Sequence, residues 1–160
     1  VPVHDDRKHF EFLVLESAQA GLSWLTVLRK RENYRKAYDD FDPKKVSEYD
    51  EAKIEELMQN AGIIRNRRKI EASINNAKRF LEIQKEFGSF DKYIWSFVDN
   101  KVVKNHWNDI QEVPATSDLS DKVSKYLKNR GFKFLGSTII YAHLQATGLI
   151  NDHLVTCFSY

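Results

Sequence analysis

Residues 15–24 read LESAQAGLSW, a run of apolar and small residues that contains one carboxylate, Glu16. This stretch predicts the end of a buried helix, because Gly21 stops the helix and Ser23 can cap the next one, which begins at Trp24. Burying an unpaired carboxylate costs on the order of several kcal/mol. Glu16 is therefore either a functional residue or a side chain that reaches water from a helix end.

The composition indicates a globular protein with one domain or two small helical lobes. The chain has 160 residues, of which 42% are hydrophobic and 30% are charged. No apolar run approaches the ~20 residues that span a bilayer, so no membrane partner is expected. A single cysteine, Cys157, excludes an internal disulfide and favours a cytoplasmic location. The net charge of +2 neither predicts nor excludes a local basic face that binds DNA.

Apolar residues repeat with a helical period over most of the chain. Near the start, Phe10, Leu13 and Val14 share one face, and either Asp5 or Asp6 is the N-cap. Further helices are predicted over about 50–58, 66–88, 89–97, 119–127 and 137–147. The longest predicted loop covers 99–117, and no alternating segment is long enough for a strand. The sequence therefore predicts an all-α fold.

Two glycines, Gly131 and Gly136, bound the short segment between the last two predicted helices. This is the layout of a helix–hairpin–helix. Its turn glycines let the backbone approach a ligand closely, and the amides that start the second helix can hold a phosphate. Lys128, Arg130 and Lys133 place positive charge at the same turn. The alternative interpretation is a plain pair of antiparallel helices.

A second basic segment, residues 62–70, reads GIIRNRRKI and places four cations around the first turn of the predicted long helix. Cations at the start of a helix oppose its dipole. The segment is therefore either a surface that faces phosphates or an exposed basic face of the helix.

His153 and Cys157 are four residues apart, so on a helical turn their side chains face the same way. This spacing suits two zinc ligands, but a tetrahedral zinc site needs four, and the chain has no second cysteine. On spacing alone, two interpretations stay open: half of a zinc site, or no metal at all.

Together these stretches resemble the DNA-3-methyladenine glycosylase I family of the helix–hairpin–helix DNA glycosylase superfamily. The matching segments, which span nearly the whole chain in order, are LESAQAGLSWLTVLRKRENYRKAYDDFDP, NAGIIRNRRKIEASINNAK, IWSFV, RGFKFLGSTIIYAHLQATGLINDH and the His153–Cys157 pair. The resemblance implies an all-α helix–hairpin–helix glycosylase fold. Residues 1–160 are then a single domain with its hairpin at about 119–147, and the N- and C-termini meet at a zinc site.

The resemblance also implies a monofunctional enzyme of base excision repair. Such enzymes flip 3-methyladenine out of double-stranded alkylated DNA and hydrolyse its N-glycosidic bond with water, which leaves an abasic site. In the family, a glutamate and a tryptophan of this motif line the base pocket, and they match Glu16 and Trp24. Glu16 is then the catalytic residue that favours the charge of the cationic base, and Trp24 stacks on that base.

Contacts with DNA are expected at the turn after Gly21 and at the hairpin. Leu22 is the candidate wedge that fills the gap left by the flipped nucleotide. The hairpin residues Arg130, Lys133 and Gly136 are candidate contacts to the phosphate backbone. We expect alkylated DNA and the excised base as the partners, and a monomer as the active form.

The family's zinc site implies a structural zinc ion with four ligands, of which His153 and Cys157 match two. The other two lie in a segment that precedes Val1, so we expect residues before Val1 in the natural protein. Many helix–hairpin–helix glycosylases also require an aspartate near the position of Asp152. Here its expected role is to orient His153 or to cap a turn.

Two alternatives remain open from the sequence. One is a non-catalytic helix–hairpin–helix module that binds DNA or senses damage without excising a base. The other is an enzyme that excises a different alkylated base. Glu16 and Trp24 separate the first alternative from an enzyme, because only base recognition and excision require them.

Overall fold

The computed structural model describes residues 4–19, 24–107 and 116–154, and the side chains within 4–18, 25–104 and 116–150. The helices in these ranges are α1 (Asp6–Gln19), α2 (Trp24–Arg29), α3 (Arg31–Ala37), α4 (Pro43–Ser47), α5 (Glu51–Met58), α6 (Arg67–Phe87), α7 (Phe90–Ser96), α8 (Asp118–Asn129) and α9 (Ser137–Ala146). The strands are β1 (Val103–Trp107) and β2 (Ile150–Leu154), and a 3₁₀ turn covers Asp39–Phe41. None of these helices has the length and apolar character needed to cross a bilayer.

The described part of the chain is mostly helical, as predicted, but the prediction that it contains no strand is wrong. Strands β1 and β2 pair in parallel, with Val103 opposite Ile150 and Trp107 opposite Leu154. A parallel pair needs a long crossover between its strands, and α8 and α9 lie in that crossover. Each strand is only five residues long. The pairing is therefore a product of tertiary placement, which a local alternation pattern does not reveal.

Short polar side chains begin the helices where the sequence predicts caps. The carboxylate of Asp42 accepts a hydrogen bond from the Lys44 amide, and Pro43 occupies the first helical position of α4. Asp50 caps α5 in the same way through the Lys53 amide. These caps satisfy amides that have no partner within the helix.

Helix α1 lies in the interior and contacts α2, α6, α7 and α9. Its side chains Phe10, Leu13 and Leu15 are at most 2% exposed. Phe10 packs edge-on against Phe80 of α6, with 5.3 Å between ring centres. Because α1 is covered on more than one face, several of its polar side chains, Glu16 among them, are buried. This explains how Glu16 comes to lie in the core.

The two candidate caps of α1 have separate roles. Asp5 accepts a hydrogen bond from the Arg7 amide at 2.9 Å, as an N-cap does. The carboxylate of Asp6 instead accepts hydrogen bonds from the backbone amides of Phe90 and Asp91, at 2.9 and 2.8 Å. Asp6 therefore fixes the start of α7 against α1, and with it the position of Asp91.

Candidate active site and DNA-binding face

Glu16 is 1% exposed and lies on the last turns of α1. Its Oε1 atom is 2.8 Å from Nδ1 of His143, a residue of α9 that is itself fully buried. In the described part of the chain, His143 is the only hydrogen-bond partner of the Glu16 side chain. The carboxyl group is thus neither exposed to water nor neutralised by a described lysine or arginine.

The hydrogen bond from Glu16 is the first of a series that leads towards the surface. Nε2 of His143 lies 3.2 Å from Nδ1 of His9, and Nε2 of His9 lies 3.0 Å from Oδ1 of Asp91. The other oxygen of Asp91 lies 3.0 Å from Nδ1 of His4, whose side chain is 57% exposed. We call the series Glu16–His143–His9–Asp91 the buried chain.

The spacing of α1 explains why one imidazole can join two of its residues. His9 and Glu16 are seven residues apart, which is two helical turns or about 10.5 Å along the axis, on one face. His143 of α9 packs between them and presents one ring nitrogen to each. The contact between α9 and α1 therefore assembles the buried chain.

Burial shifts the titration of the buried chain towards the uncharged forms. It raises the pKa of Glu16 well above its usual value. It lowers the pKa of His143 to about 3. Burial also lowers the pKa of His9 to about 4; the neighbouring His143 adds to this shift, and Asp91 opposes it. Burial therefore favours the protonated form of Glu16 and the neutral forms of both imidazoles.

A separate cleft of about 700 Å³ opens between the first turns of α6 and the hairpin that joins α8 to α9. Its lining includes three cations, Arg68, Lys128 and Lys133, together with the carboxylate of Glu71 and the backbone at Gly136. The excess of positive charge makes this cleft the candidate DNA-binding face.

The hairpin is held to α6 by one buried amide side chain. Asn76 donates a hydrogen bond to the carbonyl of Lys133 at 2.9 Å and accepts one from the Lys133 amide at 2.8 Å. The neighbouring Asn75 donates to the carbonyl of Gly131 at 2.7 Å. These three bonds fix the hairpin backbone, so that the side chain of Lys133 can face the cleft.

Gly136 is the N-cap of α9 and has an ordinary φ of −68°. No side chain caps this helix, and a Cβ atom at Gly136 would meet no heavy atom within 4 Å. The protein's own packing thus does not require a glycine here. A glycine at this position leaves the first amides of α9 open to an anion such as a phosphate.

Arg130, predicted to contact DNA, has a different environment from Lys133 and Gly136. Its guanidinium lies 2.8 Å from the carboxylate of Glu86 and 5.2 Å from the ring centres of Phe87 and Tyr93. The prediction grouped Arg130 with the hairpin cations on sequence distance alone. The structure separates it from the cleft lining and gives it a role in packing the hairpin against α6 and α7.

The cations of the basic segment 62–70, which includes the first residues of α6, also have different surroundings. Arg67 pairs with Glu51 and Glu55 of α5, and the second of these contacts measures 2.8 Å. Lys69 donates from Nζ to the carbonyl of Ala18, near the end of α1, at 3.0 Å. Of the cations in this segment, Arg68 lines the cleft. Neither a surface that faces phosphates nor an exposed basic helix face therefore describes the segment as a whole.

Several predicted residues fall outside the described part of the chain. Leu22 and Cys157 lie there entirely, and so do the side chains of Trp24 and His153. The backbone of Asp152 lies in β2, opposite Asn105. Among the described residues, no group of three or more His, Cys, Asp or Glu side chains could hold a metal ion. The zinc site stays a prediction.

Sequence reasoning identified Glu16 but missed its partners. His9 has a signal in the sequence, because it lies seven residues before Glu16 on the same helical face. His143 appears only as a lone histidine within the apolar helix IIYAHLQA. Its contact with His9 joins positions 134 residues apart, which a local pattern cannot reveal.

Comparison with known proteins gives a consistent result. The profile of the methyladenine glycosylase family matches residues 1–160. The chain is 48% identical to DNA-3-methyladenine glycosylase 1 of Escherichia coli (strain K12), over all of this chain and 86% of that protein. It is 47% identical to DNA-3-methyladenine glycosylase of Haemophilus influenzae (strain ATCC 51907 / DSM 11121 / KW20 / Rd), over 98% of this chain and 84% of that protein. A structure of 3-methyladenine DNA glycosylase I from Staphylococcus aureus, which concerns 3-methyladenine recognition, superposes with a TM-score of 0.95 at 40% identity, over 99% of this chain and 85% of that one.

Proposed function

The chain belongs to the methyladenine glycosylase family, and from this premise we infer that it excises 3-methyladenine from alkylated double-stranded DNA. The reaction is hydrolysis of the N-glycosidic bond, and its products are the free base and an abasic site. The chain is thus a monofunctional enzyme of base excision repair. We assign recognition of the base to Glu16.

The observation that carries this assignment is the environment of Glu16. The nucleotide of 3-methyladenine is a cation, whereas that of adenine is neutral. Glu16 is buried, and its described hydrogen-bond partner is a histidine that burial keeps neutral, so the carboxyl group, once ionised, can pair with a cation. Two opposite charges 4 Å apart at an effective dielectric of 20 attract by about 4 kcal/mol. Adenine receives none of this attraction, so charge can distinguish the damaged base.

The chemistry needs little acid catalysis. When the bond between N9 and the sugar breaks, its electron pair moves to the base, which leaves as neutral 3-methyladenine. Water adds to the sugar carbon and releases a proton. The substrate is already activated by its charge, so the enzyme's task is to bind, flip and orient the nucleotide.

We assign DNA binding to the cleft beside the hairpin. Lys133 and Arg68 can neutralise phosphates, and the uncapped start of α9 at Gly136 can donate amides to one of them. Trp24, the first residue of α2, is proposed to stack on the flipped base, and Leu22 to fill the gap it leaves. For these two residues the support is the match to the family motif.

A structural zinc ion bound by His153 and Cys157 is a further proposal. Its support is the match of both residues to the family motif, because His153 lies in strand β2 and not on the helical turn that the spacing argument assumed. No step of the reaction depends on it. Metal analysis of the purified protein, with and without a chelator, tests the zinc, and sedimentation tests the proposed monomer.

The direct test is incubation with methylated duplex DNA and identification of the released base. Release of 3-methyladenine, with no strand cleavage until the abasic sites are treated with alkali, is the expected result. Tight binding of the methylated DNA with no released base would instead identify a non-catalytic damage-binding module. Release of a different methylated base would change the substrate but not the reaction class.

A further inference from the structure

We propose that His143 and His9 form a proton relay that lets Glu16 give up its proton when a cationic base binds and recover it when the base becomes neutral. This inference rests on the proposed function, because it requires a cation beside Glu16. His143 and His9 are positioning residues in this scheme, since they act on the base through Glu16.

The geometry allows one continuous path for protons. Oε1 of Glu16 is 2.8 Å from Nδ1 of His143, and Nε2 of His143 is 3.2 Å from Nδ1 of His9. Nε2 of His9 is 3.0 Å from Asp91. Each imidazole therefore uses both ring nitrogens, one towards each neighbour, which is the arrangement that proton transfer through a ring requires. His9 and His143 are both 0% exposed, so water does not compete for these contacts.

Without a base and with both imidazoles neutral, the hydrogen bonds allow one placement of the protons. The Asp91 carboxylate is an acceptor, so His9 donates to it from Nε2. His9 then accepts at Nδ1 from Nε2–H of His143, which leaves Nδ1 of His143 as an acceptor for the protonated Glu16. In this state Asp91 is the only charged group of the buried chain. The burial-driven pKa shifts of Glu16, His143 and His9 favour this state.

Two short proton transfers convert this state into one with an ionised Glu16. The Glu16 proton moves to Nδ1 of His143, and the proton on Nε2 of His143 moves to Nδ1 of His9. One O–H and one N–H bond break, and two N–H bonds form, so no proton enters or leaves the protein. Glu16 becomes an anion and His9 becomes a cation whose two N–H groups point to His143 and Asp91.

A bound cation makes the second state favourable. The charges then alternate along the series: base positive, Glu16 negative, His9 positive, Asp91 negative. Opposite neighbours attract more strongly inside a protein than in water. When the glycosidic bond breaks, the base becomes neutral and the attraction at Glu16 disappears. The two protons then return along the same path, and the product is left beside an uncharged carboxyl group.

Other charged groups around α1 have partners of their own. Glu11 pairs with Arg31 of α3, and Arg7 pairs with Asp40 of the 3₁₀ turn. Lys69 of α6 binds the Ala18 carbonyl. Beyond Asp91, the groups that act on His9 or its partner are Asp6, which favours the charged form of His9, and His4, which contacts Asp91. The charged residue of α2, the helix that packs beside α1, is Arg29 in its last turn.

The first experiment follows the ring nitrogens by NMR. The probe is 3,9-dimethyladeninium, a permanent cation that has a methyl group in place of the sugar, and the matched control is neutral 9-methyladenine. We expect the cation to protonate Nδ1 of His143, to deprotonate its Nε2 and to leave His9 with two N–H groups. The neutral control leaves all four nitrogens unchanged. Binding of the cation without any change at His143 or His9 overturns the relay.

The second experiment measures single-turnover excision from pH 5 to 8.5 in His143→Gln and His9→Gln. Glutamine can hydrogen-bond but cannot pass a proton through a ring. In His143→Gln the Glu16 proton has no ring to move to, and in His9→Gln it cannot move beyond His143, so we expect excision at pH 7 to slow at least about tenfold and to recover as pH rises. His9→Gln keeps the contact between Glu16 and His143, so it tests the relay even if His143→Gln does not fold.

The matched control is Ser73→Ala, which removes a buried hydrogen bond to the Ile70 carbonyl in α6. It should lower stability without altering the pH profile. If the histidine variants lower excision equally at every pH, their role is structural and the relay is wrong. If the unmodified protein releases no 3-methyladenine, the proposed function fails; the NMR result with the cation still decides whether the relay exists.

Discussion

Arg67 and Arg68 are consecutive residues of the first turn of α6, yet their side chains have different surroundings. Arg67 pairs with Glu51 and Glu55 of α5, whereas Arg68 lines the cleft beside the hairpin. The two positions carry the same charge on the same turn. They therefore form a matched pair for separating charge that is proposed to bind DNA from charge that forms ion pairs within the protein.

We predict that Arg68→Ala weakens DNA binding and makes it less dependent on salt. Each lost phosphate contact should lower the slope of log K against log salt concentration by about 0.9. Arg67→Ala removes the same charge but should leave the slope nearly unchanged and lower the melting temperature instead. Fluorescence anisotropy with duplex DNA at several salt concentrations checks this. Equal slopes for the two variants would remove Arg68 from the DNA-binding face.

The two hairpin glycines should respond in opposite ways to alanine. Gly136→Ala meets open space, so its stability should change by no more than about 0.5 kcal/mol. DNA affinity should fall by about tenfold, because the new methyl group keeps a phosphate away from the α9 amides. Gly131 has φ +97° and a Cβ there would lie 3.1 Å from Arg79, so Gly131→Ala should cost about 1–2 kcal/mol of stability.

Urea unfolding and DNA titration together check the glycine prediction. A large loss of stability in Gly136→Ala would mean that the fold itself requires this glycine. Unchanged DNA affinity in a stable Gly136→Ala would place the phosphate elsewhere.

Glu16→Gln should keep the fold and lose recognition of the cation. The amide nitrogen of the glutamine can still donate a hydrogen bond to Nδ1 of His143, but the side chain cannot become an anion. We expect affinity for 3,9-dimethyladeninium to fall on the order of 10–100-fold, with slower excision of 3-methyladenine. Calorimetric titration and base release measure the two effects.

Glu11→Gln is the control on the same helix. Glu11 is also buried, but it pairs with Arg31, so this variant should lose about 1–2 kcal/mol of stability and bind the cation normally. Comparable excision by Glu16→Gln and the unmodified protein would remove Glu16 from its assigned role.

The buried histidines should make the fold sensitive to acid. Unfolded histidine takes up a proton as the pH falls through 6.5, whereas the pKa of His143 in the fold is about 3. The unfolded chain then binds more protons, so stability is lost as the pH falls from 6.5 towards 3. Glu16 contributes in the opposite direction. Its pKa is raised in the fold, so above the unfolded pKa of 4.5 the fold holds a proton that the unfolded chain has released, and stability falls as the pH rises.

His143→Gln isolates the histidine contribution. As the pH falls from 6 to 4, the stability of this variant relative to the unmodified protein should rise by about 1.4 kcal/mol per pH unit. The reason is that the variant lacks the one proton that His143 takes up on unfolding. Urea unfolding at several pH values measures this difference. A difference that does not vary with pH would show that His143 is charged in the fold or exposed to water.

The sequence predicts the elements whose causes are local. Asp42 and Asp50 cap helices because a short acidic side chain reaches amides two or three residues away, and this is visible in the sequence. Glu16 attracts attention for a local reason too, as a carboxylate among apolar residues. Long-range contacts behave differently: the β1–β2 pairing and the contact of His143 with His9 arise only when distant segments pack. Arg130 is a further example of a long-range effect. It lies in the hairpin turn, but its partners come from other helices, so its environment cannot be read from the neighbouring residues.

The two hydrogen bonds between Asn76 and Lys133 have a mechanical consequence. They attach the hairpin tip to the middle of the longest described helix, so we expect the hairpin and that helix to move together. The hairpin tip then has no hinge by which the protein could adapt to a straight duplex that does not match this surface. We therefore expect the deformation to fall on the nucleic acid, where a lesion that loosens base stacking lowers its energy.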